Sequence, residues 1–233
     1  MDKMKQTLLD GLSGLGLQLS ETTVDTLCAF GQAVVKQNEV MNLTAITEPE
    51  AVAKLHLLDS LTVLTTADLK GKTLIDVGCG AGFPGVPIAI ACPKAKITLL
   101  DSLGKRMNWL ETVLPQLGVS ARCITARAEE AAGEYREKFD YATSRAVARL
   151  NILLELTAPY VRVGGAVLAL KGSAAREELE EAAAAVKKLG LKLEKIHDFD
   201  FDGAQHSIIV LRKVAHTPAQ YPRRYAKIKQ SPL

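Results

Sequence analysis

Along the first third of the chain, apolar positions return at helical spacing. Leu8, Leu9, Leu12 and Leu15 share one face of a helix that Gly14 and Gly16 bring to an end. Ser20, followed three residues later by Thr23, supplies an N-cap for a second helix, whose Val24, Leu27, Cys28, Val34 and Val35 face inward. Asn38 to Thr47 reads as a polar loop. Thr47-Glu-Pro-Glu then combines a cap residue, a proline near the first turn and an early acid, which predicts a third helix over residues 48–66. Residues 1–70 are thus expected to form an all-helical cap.

From Thr73 the pattern changes to short apolar runs alternating with helical stretches, as in a mostly parallel sheet covered by helices on both faces. Strands are predicted near 73–77, 96–101, 120–125, 139–143 and 165–170. Helices are predicted between them, near 84–91, 103–117, 129–136 and 149–161. Residues 173–189 place Glu177, Glu178, Glu180 and Glu181 before Lys187 and Lys188, the order a helix dipole favours, and read as a solvated helix. The last two apolar runs, 191–200 and 206–213, are too close for a parallel crossover and must form an antiparallel hairpin. The expected fold class is α/β, a Rossmann-like sheet of five parallel strands closed by a C-terminal hairpin. Residues 71–213 carry it and 214–233 form a basic tail. Neither internal repeats nor low-complexity segments interrupt this plan.

The first strand runs into Asp76-Val-Gly-Cys-Gly-Ala-Gly-Phe-Pro-Gly85, and this turn carries the first chemical signal. Gly78, Gly80 and Gly82 lack a Cβ, so the turn is free to adopt positive φ and bring backbone N–H groups to a ligand. Pro84 suits the first turn of the following helix. Two registers fit. Gly80-x-Gly82-x-x-Gly85 satisfies the dinucleotide fingerprint, while Gly78-x-Gly80-x-Gly82 after Asp76 suits an S-adenosylmethionine site, and either binds an adenosine cofactor. A sheet closed by a hairpin favours S-adenosylmethionine, because a dinucleotide-binding dehydrogenase normally continues with parallel strands and a separate substrate domain.

The strand ends supply further candidates. Asp101, closing the second strand, is placed to accept hydrogen bonds from ribose hydroxyls and equally to cap the helix starting at Leu103. Ala126-Arg-Ala-Glu129 follows the third strand, where adenine contacts fall in S-adenosylmethionine folds. Arg145 and Arg149 follow the fourth strand and Lys171 the fifth, on the rim where ligands collect; each can clamp a phosphate or pair with a neighbouring acid. The stretch 140–149 lacks the Asn/Asp-Pro-Pro-Tyr/Phe sequence of exocyclic-amine methyltransferases. Cys92-Pro93 ends a helix, so cysteine chemistry on pyrimidine C5 is poorly supported. His56 and Asp59, three apart, read as a structural pair at the interface of cap and sheet.

Composition adds limits. With 233 residues, 48% hydrophobic and 24% charged, the chain is expected to be a soluble protein with one main domain. No apolar run approaches the ~20 residues of a membrane span, and Met-Asp-Lys-Met-Lys-Gln carries no signal segment. The cysteines, Cys28, Cys79, Cys92 and Cys123, lack CxxC spacing, so neither a metal site nor a disulfide framework is expected, and a reducing cytoplasm fits. Net charge is +3, yet residues 1–70 contribute −4, 71–213 contribute +3 and the last twenty +4. In that last stretch Arg223, Arg224, Lys227 and Lys229 suit phosphates, and Tyr221 and Tyr225 suit stacking.

Taken together, several motifs resemble one family. Asp76 to Gly85, with Phe83-Pro84 its most distinctive part, is joined by Asn42-Leu-Thr44, His56-x-x-Asp59-Ser-Leu61 and Asp101-Ser-x-x-Lys105-Arg106. Arg127-Ala-Glu129, Ser144-Arg-Ala146 and Ala169-Leu-Lys-Gly172 follow in order. From about residue 37 onward the chain is similar to the glucose-inhibited division protein B family, the RsmG methyltransferases of small-subunit ribosomal RNA. The tail Tyr221-Pro-Arg-Arg224, ending Pro232-Leu233, resembles the family's closing segment, although Tyr225 to Ser231 departs from its commoner glycine- and proline-containing form.

The resemblance implies transfer of the S-adenosylmethionine methyl to guanine N7 in 16S rRNA. It also implies cofactor contacts from Gly78, Phe83, Ala128, Glu129 and Arg145, beside Gly80, Gly82 and Asp101 read from the loop and strand. Guanine N7 has an in-plane lone pair and no proton, so no catalytic side chain is expected. Arg145, Arg149, Lys171, Arg223 and Arg224 are expected to face RNA. The partner is expected to be 16S rRNA, the small ribosomal subunit or an assembly intermediate, and the chain to be a monomer without metal or membrane association. Three rivals remain: an NAD(P)-dependent oxidoreductase using the second glycine register, a non-catalytic RNA-binding protein retaining the fold, and a small-molecule methyltransferase.

Overall fold

The computed structural model describes residues 3–233. Two helices open it, α1 (Lys3–Gly14) and α2 (Glu21–Asn38), and the Ser20 hydroxyl accepts the Thr23 N–H at 3.2 Å as the cap pattern anticipated. The third helix is not uniform. It comprises α3 (Pro49–Val52), a π-helical segment (Ala53–Leu58), α4 (Asp59–Leu61) and α5 (Val63–Thr66). A π segment widens the backbone turn and shifts the side chains that follow, and such segments often mark functional positions.

Seven strands form one sheet: β1 (Thr73–Val77), β2 (Lys96–Asp101), β3 (Arg122–Thr125), β4 (Phe139–Arg145), β5 (Val161–Lys171), β6 (Leu191–Phe201) and β7 (Ala204–Lys213). Their order is β3-β2-β1-β4-β5-β7-β6. The first five are parallel, and β7 runs antiparallel to both β5 and β6. The hairpin turn is tighter than expected. Asp202 and Gly203 take φ of 56° and 86°, the positive values that a two-residue turn needs to match strand twist. Strand β5 begins earlier than expected because a register shift in β4 lets Phe139 pair with Val161.

The remaining helices are α6 (Gly85–Ala91), α7 (Gly104–Gln116), α8 (Ala128–Ala131), α9 (Leu150–Thr157), α10 (Ala175–Glu181), α11 (Ala183–Lys188) and α12 (Tyr225–Gln230). The helix expected over 129–136 shrinks to the single turn of α8. That expected over 173–189 breaks at Ala182, whose ψ of 4° departs from helical geometry.

Strand alternation divides the core between the two sheet faces. Leu74, Leu99, Leu168 and Val210 pack with Leu8, Leu27, Phe30 and Leu57 of the amino-terminal helices. Ile75, Ala142, Val167 and Ile209 pack on the other face with Leu153, Leu154 and Tyr160. Residues 1–70 therefore share a continuous core with the sheet. The basic segment 214–233 is also anchored. Ile228 is fully buried, Tyr221 and Leu233 pack on the second cluster, and the Arg136 guanidinium donates to the carbonyls of Thr217, Pro218 and Tyr221.

Candidate functional site

The glycine loop is held from below and from the side. Asp76, at the end of β1, is wholly buried, and its Oδ2 accepts the Gly85 N–H at 2.7 Å, fixing the start of α6. Its Oδ1 has no partner among the described residues, and burial pushes the carboxyl up to about 7, against the Gly85 N–H and the Arg145 charge. Gly78 has φ of 74°, and a Cβ there would lie 2.5 Å from Val147 Cγ2. Only glycine satisfies both constraints. Beside the loop, Asp101 Oδ2 accepts the Gly80 N–H and Oδ1 accepts the Leu103 N–H, both at 2.9 Å. Asp101 thus performs the capping role and keeps lone pairs for a ligand.

These elements enclose a cavity of about 540 Å³. Gly78, Gly80, Phe83, Asp101, Ala128, Glu129 and Arg145 all line it. Gly82 sits underneath instead, where a Cβ would meet Val86, Leu110 and Phe30, so its contribution is to the packing of the turn. The backbone after β3 is pinned by Tyr160, whose hydroxyl donates to the Ala128 carbonyl at 2.5 Å. Sequence reasoning missed Leu43, Thr44, Val147 and Tyr225 as lining residues. Leu43 and Thr44 reach the cavity because Asn38 Oδ1 accepts both their backbone N–H groups, at 2.7 and 2.9 Å. The clues in the sequence were Asn38, a turn-forming residue opening a polar loop, and the motif Asn42-Leu-Thr44 itself.

Arg145 joins cap, loop and sheet. Its Nη1 donates to the Leu55 carbonyl and to Asp59 Oδ2, each at 2.8 Å, and its Nη2 donates to His56 Nδ1 at 3.1 Å. His56 Nδ1 lies 3.1 Å from both the Arg145 guanidinium, which only donates, and the Leu55 carbonyl, which only accepts; with the proton on Nε2 the ring accepts from Arg145 and donates to Thr44 Oγ1 at 2.7 Å. That neutral ring agrees with a pKa lowered to about 4 by burial and by the Arg145 charge. Phe83 stacks on His56 with centroids 4.6 Å apart and lies beneath the Arg145 guanidinium at 5.1 Å. The π segment makes this meeting possible by carrying Leu55 and His56, with Asp59 just after it. His56 and Asp59, expected to meet at the interface of cap and sheet, are brought together through Arg145.

A second cavity, of about 630 Å³, shares His56, Arg145, Ala146 and Val147 with the first. Ala146 has φ of 56°, a strained value for a residue with a Cβ, in the wall between the two spaces. Arg149, Lys171 and His206 border the second cavity.

Three of the cations expected to face RNA, Arg149, Lys171 and Arg223, are engaged with acids inside the fold. Arg149 pairs with Glu177 at 3.0 Å and Glu181 at 2.7 Å. Lys171 is nearly buried, 2.8 Å from Glu178, and donates to the Ala148 carbonyl at 2.6 Å. Arg223 clamps the buried Glu155 through Nε at 2.8 Å and Nη2 at 2.6 Å. The acids read as the solvated face of a helix are the partners of Arg149 and Lys171. Arg224 is exposed and borders a third cavity with Arg127, Tyr225 and Lys229.

A family model described as GidB, rRNA small subunit methyltransferase G, matches residues 23–208, four fifths of the chain. The chain belongs to the GidB family. That match takes in the glycine loop, the Arg145 junction and His206, while α12 lies beyond it. The ribosomal RNA small subunit methyltransferase G of Alkaliphilus metalliredigens is 41% identical over 235 residues, covering 98% of each chain. The protein of that name from Acetivibrio thermocellus is 40% identical over 236 residues, covering 99% of this chain and 97% of its own. Among solved structures, P. horikoshii TYW2 matches with a TM-score of 0.55 at 16% identity, covering 67% of this chain and 62% of its own. TrmN from Thermus thermophilus matches at 0.54 and 20%, covering 67% and 48%. These last two likenesses are of fold. The Rossmann-like methyltransferase architecture expected from strand pattern is thus present, and GidB membership makes the chain a methyltransferase. Among the described residues, no group of His, Cys, Asp and Glu is arranged to hold a metal, and no helix is long and apolar enough to cross a membrane.

Proposed function

We propose that this GidB protein transfers the methyl group of S-adenosylmethionine to N7 of a guanosine in 16S rRNA, acting as a monomer in the cytoplasm on the small subunit or an assembly intermediate. The observation that carries this reading is the pair of cavities meeting at one wall, Arg145 to Val147. A methyl donor in the first and a base in the second would face each other across it. The first cavity suits the cofactor. Its volume lies within the roughly 300–1,000 Å³ of small-molecule sites, a glycine cradle floors it, and Asp101 offers acceptors to a ribose.

In this reading Gly78, Gly80, Phe83 and Arg145 hold the donor end, and Asp101, Ala128, Glu129 and Tyr225 hold the adenosine. When bound, S-adenosylmethionine supplies an electrophilic methyl on a sulfonium. The protein's own residues position and exclude water. Phe83, packed against the adjoining His56 ring and Arg145 guanidinium, gives an apolar surface on the side of the cavity where the methyl would be transferred. No residue has to remove a proton, since guanine N7 attacks through a lone pair already in the ring plane. Neutral His56 has both nitrogens engaged and serves as a strut. Alignment of two bound reactants supplies the rate enhancement.

Arg224, Arg127 and Lys229, around the third cavity, are the cations we assign to RNA phosphates. Arg149 and Lys171 shape the second cavity. Equilibrium binding separates this reading from its rivals. S-adenosylmethionine should bind and NADH should not, and methyl-labelled cofactor should label small-subunit RNA. Tight NADH binding without cofactor binding favours the oxidoreductase, and binding without incorporation favours the non-catalytic protein.

A further inference from the structure

Most polar side chains around the second cavity have their hydrogen-bonding groups engaged within the fold. Arg145 holds Leu55, Asp59 and His56; Lys171 holds Ala148 and Glu178; Arg149 holds Glu177 and Glu181. Both Asp59 oxygens are taken, one by Arg145 and the other by His206 Nδ1 at 2.7 Å. His206 differs from all of these. It borders the cavity and is partly exposed, and no described residue bonds its Nε2. Its backbone sits in β7 opposite Phe199 of β6, and the Phe201 ring meets it edge-on at 5.5 Å. His56 makes the contrast, because a strut has both nitrogens bonded.

We propose that His206 is a specificity-determining residue which, oriented by Asp59, presents Nε2–H to O6 of the target guanine. This rests on the guanine-N7 reading above. Asp59 is kept ionised by His206 and Arg145, despite its burial, and therefore fixes the proton on Nδ1. The bond to Asp59 raises the His206 pKa, which favours a proton on Nε2 as well. The Hoogsteen edge of guanine offers two acceptors, N7 and O6, whereas adenine offers N7 and an amino donor. A donor at O6 accepts guanine, leaves the N7 lone pair free to attack, and meets the adenine amino group donor to donor.

The test uses small subunits reconstituted with guanosine or 2-aminopurine at the modified position, the latter keeping N7 and lacking O6. For the unmodified protein, 2-aminopurine should lower kcat/KM about 10- to 100-fold, the size of a lost hydrogen bond with its partner left unpaired. His206→Asn retains an N–H for Asp59 and places none at the Nε2 position. It should lose a similar factor on guanosine and nothing further on 2-aminopurine, with cofactor affinity unchanged. His206→Gln, whose amide reaches the Nε2 position, should recover most of the guanosine activity. Equal losses by His206→Asn on both substrates, or no loss on guanosine, would overturn the proposal. Absence of any N7 methylation by the unmodified protein would instead overturn the reading beneath it.

Discussion

At Gly78, positive φ and the 2.5 Å approach to Val147 act together, so even a methyl group must displace the loop or the strand-four wall. Gly78→Ala should weaken S-adenosylmethionine binding at least about tenfold, from backbone strain and overpacking; unchanged affinity by calorimetry would remove the cradle from the account. Asp76 makes a pH-dependent prediction. Its folded pKa of about 7 stands above the ordinary 3.8, so folding takes up a proton between those values. The associated stability is fully present below about pH 3.8 and is lost as pH rises through about 7. Asp76→Asn cannot ionise, so its melting temperature without cofactor should gain on the unmodified protein between pH 5 and 8. A pH-independent difference would contradict this. At this scale the sequence pointed to Gly78, Gly80 and Asp101, because glycine and strand-end acids carry their reasons locally, whereas Phe83 was reached only through the family resemblance. His206 was not legible, since its partner Asp59 is 147 residues away.

At the scale of elements, strands and long helices followed from periodicity, and the exceptions have tertiary causes. The π segment forms where Leu55, His56 and Asp59 must all meet Arg145, a demand that no local pattern encodes. Helix α8 ends after one turn while the Tyr160 hydroxyl ties its first residue, Ala128, from across the sheet face. Helix α12 was read as part of a tail, yet it brings Tyr225 into the first cavity, with Arg127 stacked 5.6 Å above its ring. Tyr225 is partly exposed, so Tyr225→Ala should leave the melting temperature nearly unchanged. It should weaken cofactor binding about three- to tenfold, the scale of one aromatic contact, and Tyr225→Phe should retain affinity. Equal binding by the alanine variant would place Tyr225 outside the cofactor site.

Across the whole molecule, the described amino-terminal helices and the segment 214–233 both pack into the fold. The amino-terminal helices complete the core on one sheet face, and the carboxyl-terminal segment is fastened to the other by Arg223 and Glu155. Glu155 is fully buried, so Arg223→Ala strands its charge and should cost about 3 kcal/mol, near 10 °C in melting temperature. A change of only a degree or two would show that this anchor is dispensable. Charge segregation along the sequence was legible, but the pairing of Arg149, Lys171 and Arg223 was not, because their acids lie in other elements. Two cavities sharing one wall are likewise a property of the assembled molecule, and they bear the central claim that a methyl group passes between them to guanine N7. The most direct measurement incubates the protein with methyl-labelled S-adenosylmethionine and hypomethylated small subunits, then identifies the labelled nucleoside. Label is expected in 7-methylguanosine at one position of 16S rRNA; label in adenosine or cytidine, or none at all, would contradict methyl transfer to guanine N7.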